Sequence, residues 1–242
     1  MPKVKIKKKK RDNLYKRLRK FADRFSAIEV QHILIAWLVL SLAFTYVLDS
    51  GINGIVFLLV FTASLIVLGC GFIMHELMHK FTAQKYRYRA EFRIWTWGIF
   101  LALITSLFGF IFAAPGATYF EPDPHEQYLD PKGFIQRYGT ISLAGPKVNL
   151  IFGFLFIALF FLIEFAFPSV TGVLASFAVL VTGLGAYINF YLAAFNLLPI
   201  NPLDGYKVFR WSKPHWVAYF VAAVAMTAVN FIYVLPHIQI VF

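Results

Sequence analysis

His75, Glu76 and His79 form an H-E-x-x-H pattern at the end of an otherwise apolar stretch. On an α-helix, residues four apart stand about 40° apart around the axis, so both imidazoles can reach one metal ion. Glu76 projects beside them, where it can take a proton from water activated by that metal. Imidazole and carboxylate donors with one open position suit zinc. With six His and six Glu in the chain, the pattern would arise by chance in about 0.4% of such compositions. Its setting adds weight, because ionisable groups at the end of a membrane helix are costly unless they pair, bind an ion or line water. A catalytic zinc usually takes a third protein ligand. Asp204 is the candidate, since Pro199 and Pro202 break the apolar helix before it and Gly205 follows it. In isolation, L-D-G reads as a polar turn at a helix end. Beside an H-E-x-x-H it reads as the missing ligand.

Apolar helices must position these groups. The chain has 242 residues, 60% hydrophobic and 14% charged, with mean hydropathy +0.68. Ordinary soluble domains carry about 25% charged residues, so a soluble globular fold is excluded. Five or six stretches of about 20 apolar residues fit. They run over 33–48, extendable back to about Ala27; 54–74, continuing without a breaker through His79; 144–167; 171–198; and 216–235. Pro146 suits the first turn of the third. Tyr86, Tyr88, Ala90, Phe92 and Ile94 alternate with Arg87, Arg89, Glu91 and Arg93, the two-residue repeat of an interfacial strand. The segment 95–114 is apolar with Gly98 and Gly109, and 121–137 reads as a polar, proline-rich loop. Cys70 is the one cysteine, so no intrachain disulfide forms. It stands about 140° around the helix from His75 and is not expected to be a ligand.

Charge divides the chain. Residues 1–24 hold twelve Lys or Arg against Asp12 and Asp23, which is +10 of the total +11. Directly before a membrane segment, such a run points to anionic lipid head groups and a cytoplasmic N-terminus rather than nucleic acid. It is too long for the n-region of a cleavable signal peptide. A first helix out and a second back place Lys80, Lys85, Arg87, Arg89 and Arg93 in the cytoplasm, in keeping with the positive-inside rule. The organisation expected is a basic cytoplasmic segment, 1–24, and a transmembrane domain, 25–242.

The sequence resembles the site-2 protease family of zinc intramembrane metalloproteases. His75 to His79 match the family's H-E-x-x-H, and Asn196 to Gly205 match its N-x-x-P-x-x-P-L-D-G on a later helix. Ala144 to Asn149 are similar to its A-G-P-x-x-N element. The resemblance covers roughly 54–210. It implies one zinc per chain on His75, His79 and Asp204, Glu76 as general base and acid, and Asn196 as a hydrogen-bonding partner for substrate or water. The implied form is minimal and prokaryotic, since 242 residues leave no room for the family's PDZ or CBS domains. Its substrates would be transmembrane helices of other proteins, its place the cell membrane, its site near the cytoplasmic side. Parity follows: Asp204 must return to the depth of His79, so 95–120 should be a re-entrant hairpin or membrane-embedded sheet. The fold expected is a polytopic α-helical membrane protein with a membrane-associated β segment over about 86–120. A metal-binding membrane protein or transporter would keep the His/Asp cluster without needing Glu76. A membrane-anchored peptidase acting in the cytoplasm would need a polar catalytic domain.

Overall fold

The computed structural model describes residues 24–48, 54–112, 114–166 and 172–238; the basic run before Arg24 lies outside them. Five helices among the described residues are long and apolar enough to cross a membrane, and the chain folds as a polytopic helical membrane protein. Helix α1, Ala27–Leu48, begins where the Ser26 hydroxyl accepts the Glu29 N–H (3.1 Å), satisfying one orphan donor of the first turn. Helix α2, Gly54–Lys85, has 32 residues. At 1.5 Å per residue it is about 48 Å long, against a hydrocarbon layer of about 30 Å. It carries a single π turn at Gly69–Ile73, immediately before the histidines.

The expected strand is β1, Arg89–Ile94, with Ala90 and Phe92 buried and Arg89 exposed. Arg87, at φ +65°, makes the turn into it. The apolar segment after it divides into a short helix α3, Thr96–Ser106, and a strand β2, Gly116–Glu121. Eleven residues of helix reach about 16 Å, half of what a crossing needs. The strands pair antiparallel, with Phe92 opposite Thr118 and Ala90 opposite Phe120, and Trp95 N–H donates to the Pro115 carbonyl (2.9 Å). The excursion thus closes where it opened, as the parity argument requires.

One expected boundary is corrected. The segment 131–143, expected as part of a polar loop and the entry to a helix at Pro146, is already helical. After the short α4, Glu126–Leu129, helix α5 runs over Pro131–Ala166. Asp130 Oδ1 accepts the Gly133 N–H (3.0 Å) and Pro131 opens the first turn, which together start the helix fifteen residues before Pro146. Pro146 therefore sits in the helix interior. Backbone and Arg137 hydrogen bonds hold the Asp130 carboxyl below the usual carboxylate range. Helices α6, Val173–Asn196, α7, Asp204–Trp211, and α8, Lys213–Val234, complete the chain.

Two apolar clusters pack the bundle. Ala36, Leu40 and Ala43 of α1 meet Val60, Ala63 and Val67 of α2 and Leu184 and Ile188 of α6. Leu150 and Phe156 of α5 meet Phe190 of α6, Val208 of α7 and Ala223 of α8.

Lys80, read from the sequence as one of the cytoplasmic charges, is 1% exposed. Its Nζ donates to Glu29 Oε1 (2.8 Å), Glu29 Oε2 (2.6 Å) and the Ala90 carbonyl (2.7 Å). Glu29 Oε1 in turn accepts the Phe92 N–H (3.0 Å), and His32 Nδ1 lies 3.4 Å from the Ile94 nitrogen. The pair joins α1, α2 and β1 and occupies the side of β1 that faces away from β2. Breaking one member strands a buried charge, at a cost of about 3–5 kcal/mol, whereas removing both often costs little. Lys80→Met should lower thermal stability in detergent sharply, and Glu29→Met with Lys80→Met should recover part of it. Equal losses in single and double variants would mean that the pair is not coupled.

Candidate metal centre

The C-terminal part of α2 presents His75, Glu76 and His79, all buried, toward α5 and α7. The two rings meet edge to face, centroids 4.6 Å apart. Helix α6 ends at Asn196, and the turn after it folds back so closely that α7 starts against the end of α6. A side chain on Gly205 would stand 2.5 Å from the Leu198 carbonyl oxygen and nearer still to Leu197. The glycine of the L-D-G tripeptide is thus needed for this close approach. The turn delivers Asp204, first residue of α7, to the histidines: its Oδ2 lies 3.3 Å from His75 Nε2 and 3.0 Å from His79 Nε2. Burial alone would raise the Asp204 carboxyl, but His79, His75 and Lys207 outweigh it and hold the group well below the usual carboxylate range.

Each ring is held from behind. His79 Nδ1 is 2.8 Å from the Ile141 carbonyl oxygen and His75 Nδ1 is 2.5 Å from Asn149 Oδ1. A carbonyl only accepts, so His79 donates from Nδ1, and the neutral ring carries its lone pair on Nε2. Glu76 Oε2 accepts the Thr118 hydroxyl (2.8 Å), which β2 brings to the site. Asn196 donates to the Leu192 carbonyl of its own helix (2.9 Å); among the described residues no hydrogen bond joins it to His75, Glu76, His79 or Asp204. Among those residues, His75, His79 and Asp204 form the one group of His, Cys, Asp or Glu donors that could hold an ion, their ligand atoms within 4.8 Å of one another. Cys70 is not in it, as expected. Thr118 and Asn149 were not marked as site residues by sequence reasoning. Asn149 had a signal in the A-G-P-x-x-N element, whereas nothing around Thr118 distinguishes it.

A protein of Methanocaldococcus jannaschii named "Putative zinc metalloprotease" is 39% identical over 194 residues, covering 80% of this chain and 89% of the relative. The chain belongs to this zinc metalloprotease family. No family model and no solved structure matches it.

The donor set of the metalloprotease fits zinc. Tetrahedral ligands at Zn–N and Zn–O distances of about 2.0–2.1 Å stand about 3.3 Å apart, close to the two His–Asp separations. Gly145 of α5 supplies the space between them. A Cβ there would lie 2.6 Å from His75 Nε2 and closer still to His79 Nε2, so the hydrogen of glycine leaves open a cradle that any other residue would fill. Two imidazoles and a carboxylate are the donors that zinc prefers in a site with one free position.

Proposed function

We propose that this metalloprotease is an intramembrane endopeptidase of the site-2 protease type, holding one zinc on His75, His79 and Asp204 and cleaving transmembrane segments of other membrane proteins. The observation that carries the reading is the meeting of three donors from α2 and α7, with Glu76 beside them, inside a bundle of membrane-length helices. His75 lies about 30 Å along α2 from Gly54, comparable with the thickness of the hydrocarbon layer. That depth, together with the basic residues that follow α2, favours a site near the cytoplasmic side of the membrane. The N-terminus would then be cytoplasmic, its basic run on anionic head groups.

Zinc in this site would supply the Lewis acidity that polarises a peptide carbonyl and brings water to a pKa near 7. Glu76 takes the proton of the attacking water and passes it to the leaving amine as the C–N bond breaks. The Thr118 hydroxyl holds Oε2 and leaves Oε1 free to face the water. Asn196, with one amino hydrogen given to the Leu192 carbonyl, has its other amino hydrogen and its amide oxygen for substrate or water.

A helical substrate must unwind before its peptide bond can be attacked. Because Ala90, Phe92 and Ile94 turn their backbone groups away from β2, the register places those of Thr118 and Phe120 on the outer edge of β2. An unwound segment added to that edge lies one side chain away from Glu76. The test is zinc per purified chain. About one is expected in wild type and little in Asp204→Ala; no zinc in wild type, or zinc indifferent to Asp204, would overturn the three-ligand site.

A further inference from the structure

We propose that Asn149 is a positioning residue that fixes His75 in the tautomer with hydrogen on Nδ1, leaving the Nε2 lone pair free for metal, and that Asn189 and the π turn of α2 aim it. This rests on the reading of His75 as a zinc ligand. Both asparagines are fully buried among apolar side chains, where a polar group is costly unless its hydrogen bonds are complete. Theirs form one directed chain. Asn189 Nδ2 donates to the Gly185 carbonyl (2.8 Å), so its Oδ1 turns toward α5 and accepts from Asn149 Nδ2 (3.0 Å). The second hydrogen of Asn149 Nδ2 goes to the Gly71 carbonyl (3.0 Å), inside the π turn Gly69–Ile73. With both amino hydrogens committed, Asn149 presents Oδ1 to His75 Nδ1.

An amide can in general be flipped with little change of shape. Here a flip would set the Asn149 oxygen against two groups that only accept, the Gly71 carbonyl and Asn189 Oδ1, and lose both bonds. The direction is anchored at two backbone carbonyls, of Gly185 and Gly71, which cannot become donors. His75 must therefore donate from Nδ1. His79 reaches the same state through one backbone carbonyl, that of Ile141. The two rings end with equivalent lone pairs, but only that of His75 depends on side chains. The π turn has a role in this: it places Gly71, whose absent side chain would press Leu192 at 3.2 Å and Asn189 at 3.5 Å, where its carbonyl meets α5.

The experiment is nitrogen NMR of histidine-labelled, metal-free protein carrying Asp204→Ala, because the Asp204 carboxylate 3.3 Å from His75 Nε2 competes for the ring hydrogen when no metal is bound. It is run at a pH where the rings are neutral, with His75 assigned by comparison with His75→Gln. The asparagine variants are read for tautomer in that background and for zinc with Asp204 in place. With Asn149 in place, His75 should be the Nδ1–H tautomer; the Nε2–H form would overturn the proposal. Asn149→Leu should mix the tautomers and weaken zinc binding about 10- to 100-fold. Asn189→Leu, which leaves Gly71 to hold the amide, should give a smaller loss. Asn149→Asp decides between positioning and packing. A carboxylate can only accept, so it should keep the Nδ1–H tautomer and bind zinc more tightly than Asn149→Leu, although it gives up two donated bonds and lowers stability. Were Asn149→Asp the weakest zinc binder of the set, or Asn149→Leu equal to wild type in tautomer and affinity, the positioning role would fall. Should wild type bind no zinc, the ligand reading fails by itself, while the tautomer in metal-free protein still decides this proposal.

Discussion

Glu76→Gln should abolish peptide hydrolysis while leaving zinc content at about one per chain. Glutamine has the shape of glutamate and keeps an oxygen to accept the Thr118 hydroxyl, so the surroundings of the site are preserved. It cannot take a proton from water or return one to the leaving amine. General acid–base groups of this kind contribute about 10²–10⁴-fold, and Glu76 would serve in both directions. The measurement is cleavage of a transmembrane peptide in detergent or vesicles, with zinc determined on the same preparation. Substantial cleavage by Glu76→Gln would remove Glu76 from the mechanism. Loss of zinc would instead make it a ligand or a structural support of the site. A transporter built on the same His/Asp cluster would be indifferent to this change, so the variant also separates the two classes of function.

Gly145→Ala should empty the site with a single methyl group. The new Cβ would lie 2.6 Å from His75 Nε2 and nearer to His79 Nε2, distances at which a metal, rather than carbon, belongs beside a ring nitrogen. Either the rings turn away or α5 withdraws, and in both cases the donors no longer converge. Zinc per chain is expected to fall from about one to background. Gly153→Ala is the control, since it lies on the same helix two turns on and its Cβ would press the Phe190 ring at 2.6 Å. That substitution crowds the α5–α6 contact to a similar degree without touching a ligand. Zinc retained in Gly145→Ala, or lost equally in both variants, would mean that packing and not the cradle is at issue.

The residues that carry the candidate chemistry were legible because their spacing has a direct geometric meaning. Histidines four apart share a helix face, and helix-breaking prolines before an L-D-G make a turn; the structure brings Asp204, at the start of the next helix, to both rings. The long helices were legible for the same reason, as apolar length translates into membrane thickness. What escaped depends on contacts between segments far apart in the chain. Thr118 reaches Glu76 only because β2 pairs with β1 in one register. Asn189 matters only because it stands opposite Asn149 across the α5–α6 contact. Glu29 and Lys80, 51 positions apart, carry no mutual signal, and a lysine beside a run of arginines reads as solvated. The early start of α5 was hidden because a polar, proline-containing stretch suggests a loop, whereas Asp130 and Pro131 together form a helix start. The split of 95–120 into a half-helix and a strand was beyond reach, since an apolar run of that length has no period that separates the two.

The occupied outer side of β1 also has a kinetic meaning. Lys80, Glu29 and His32 take the backbone groups that a third strand would need there, so the two-stranded sheet can lengthen sideways in one direction only. A sheet open on one flank admits a single guest at a time. If substrates dock by strand addition, different transmembrane segments compete for one berth, each acting as a competitive inhibitor of the others, and the abundance of one client sets the cleavage rate of the rest.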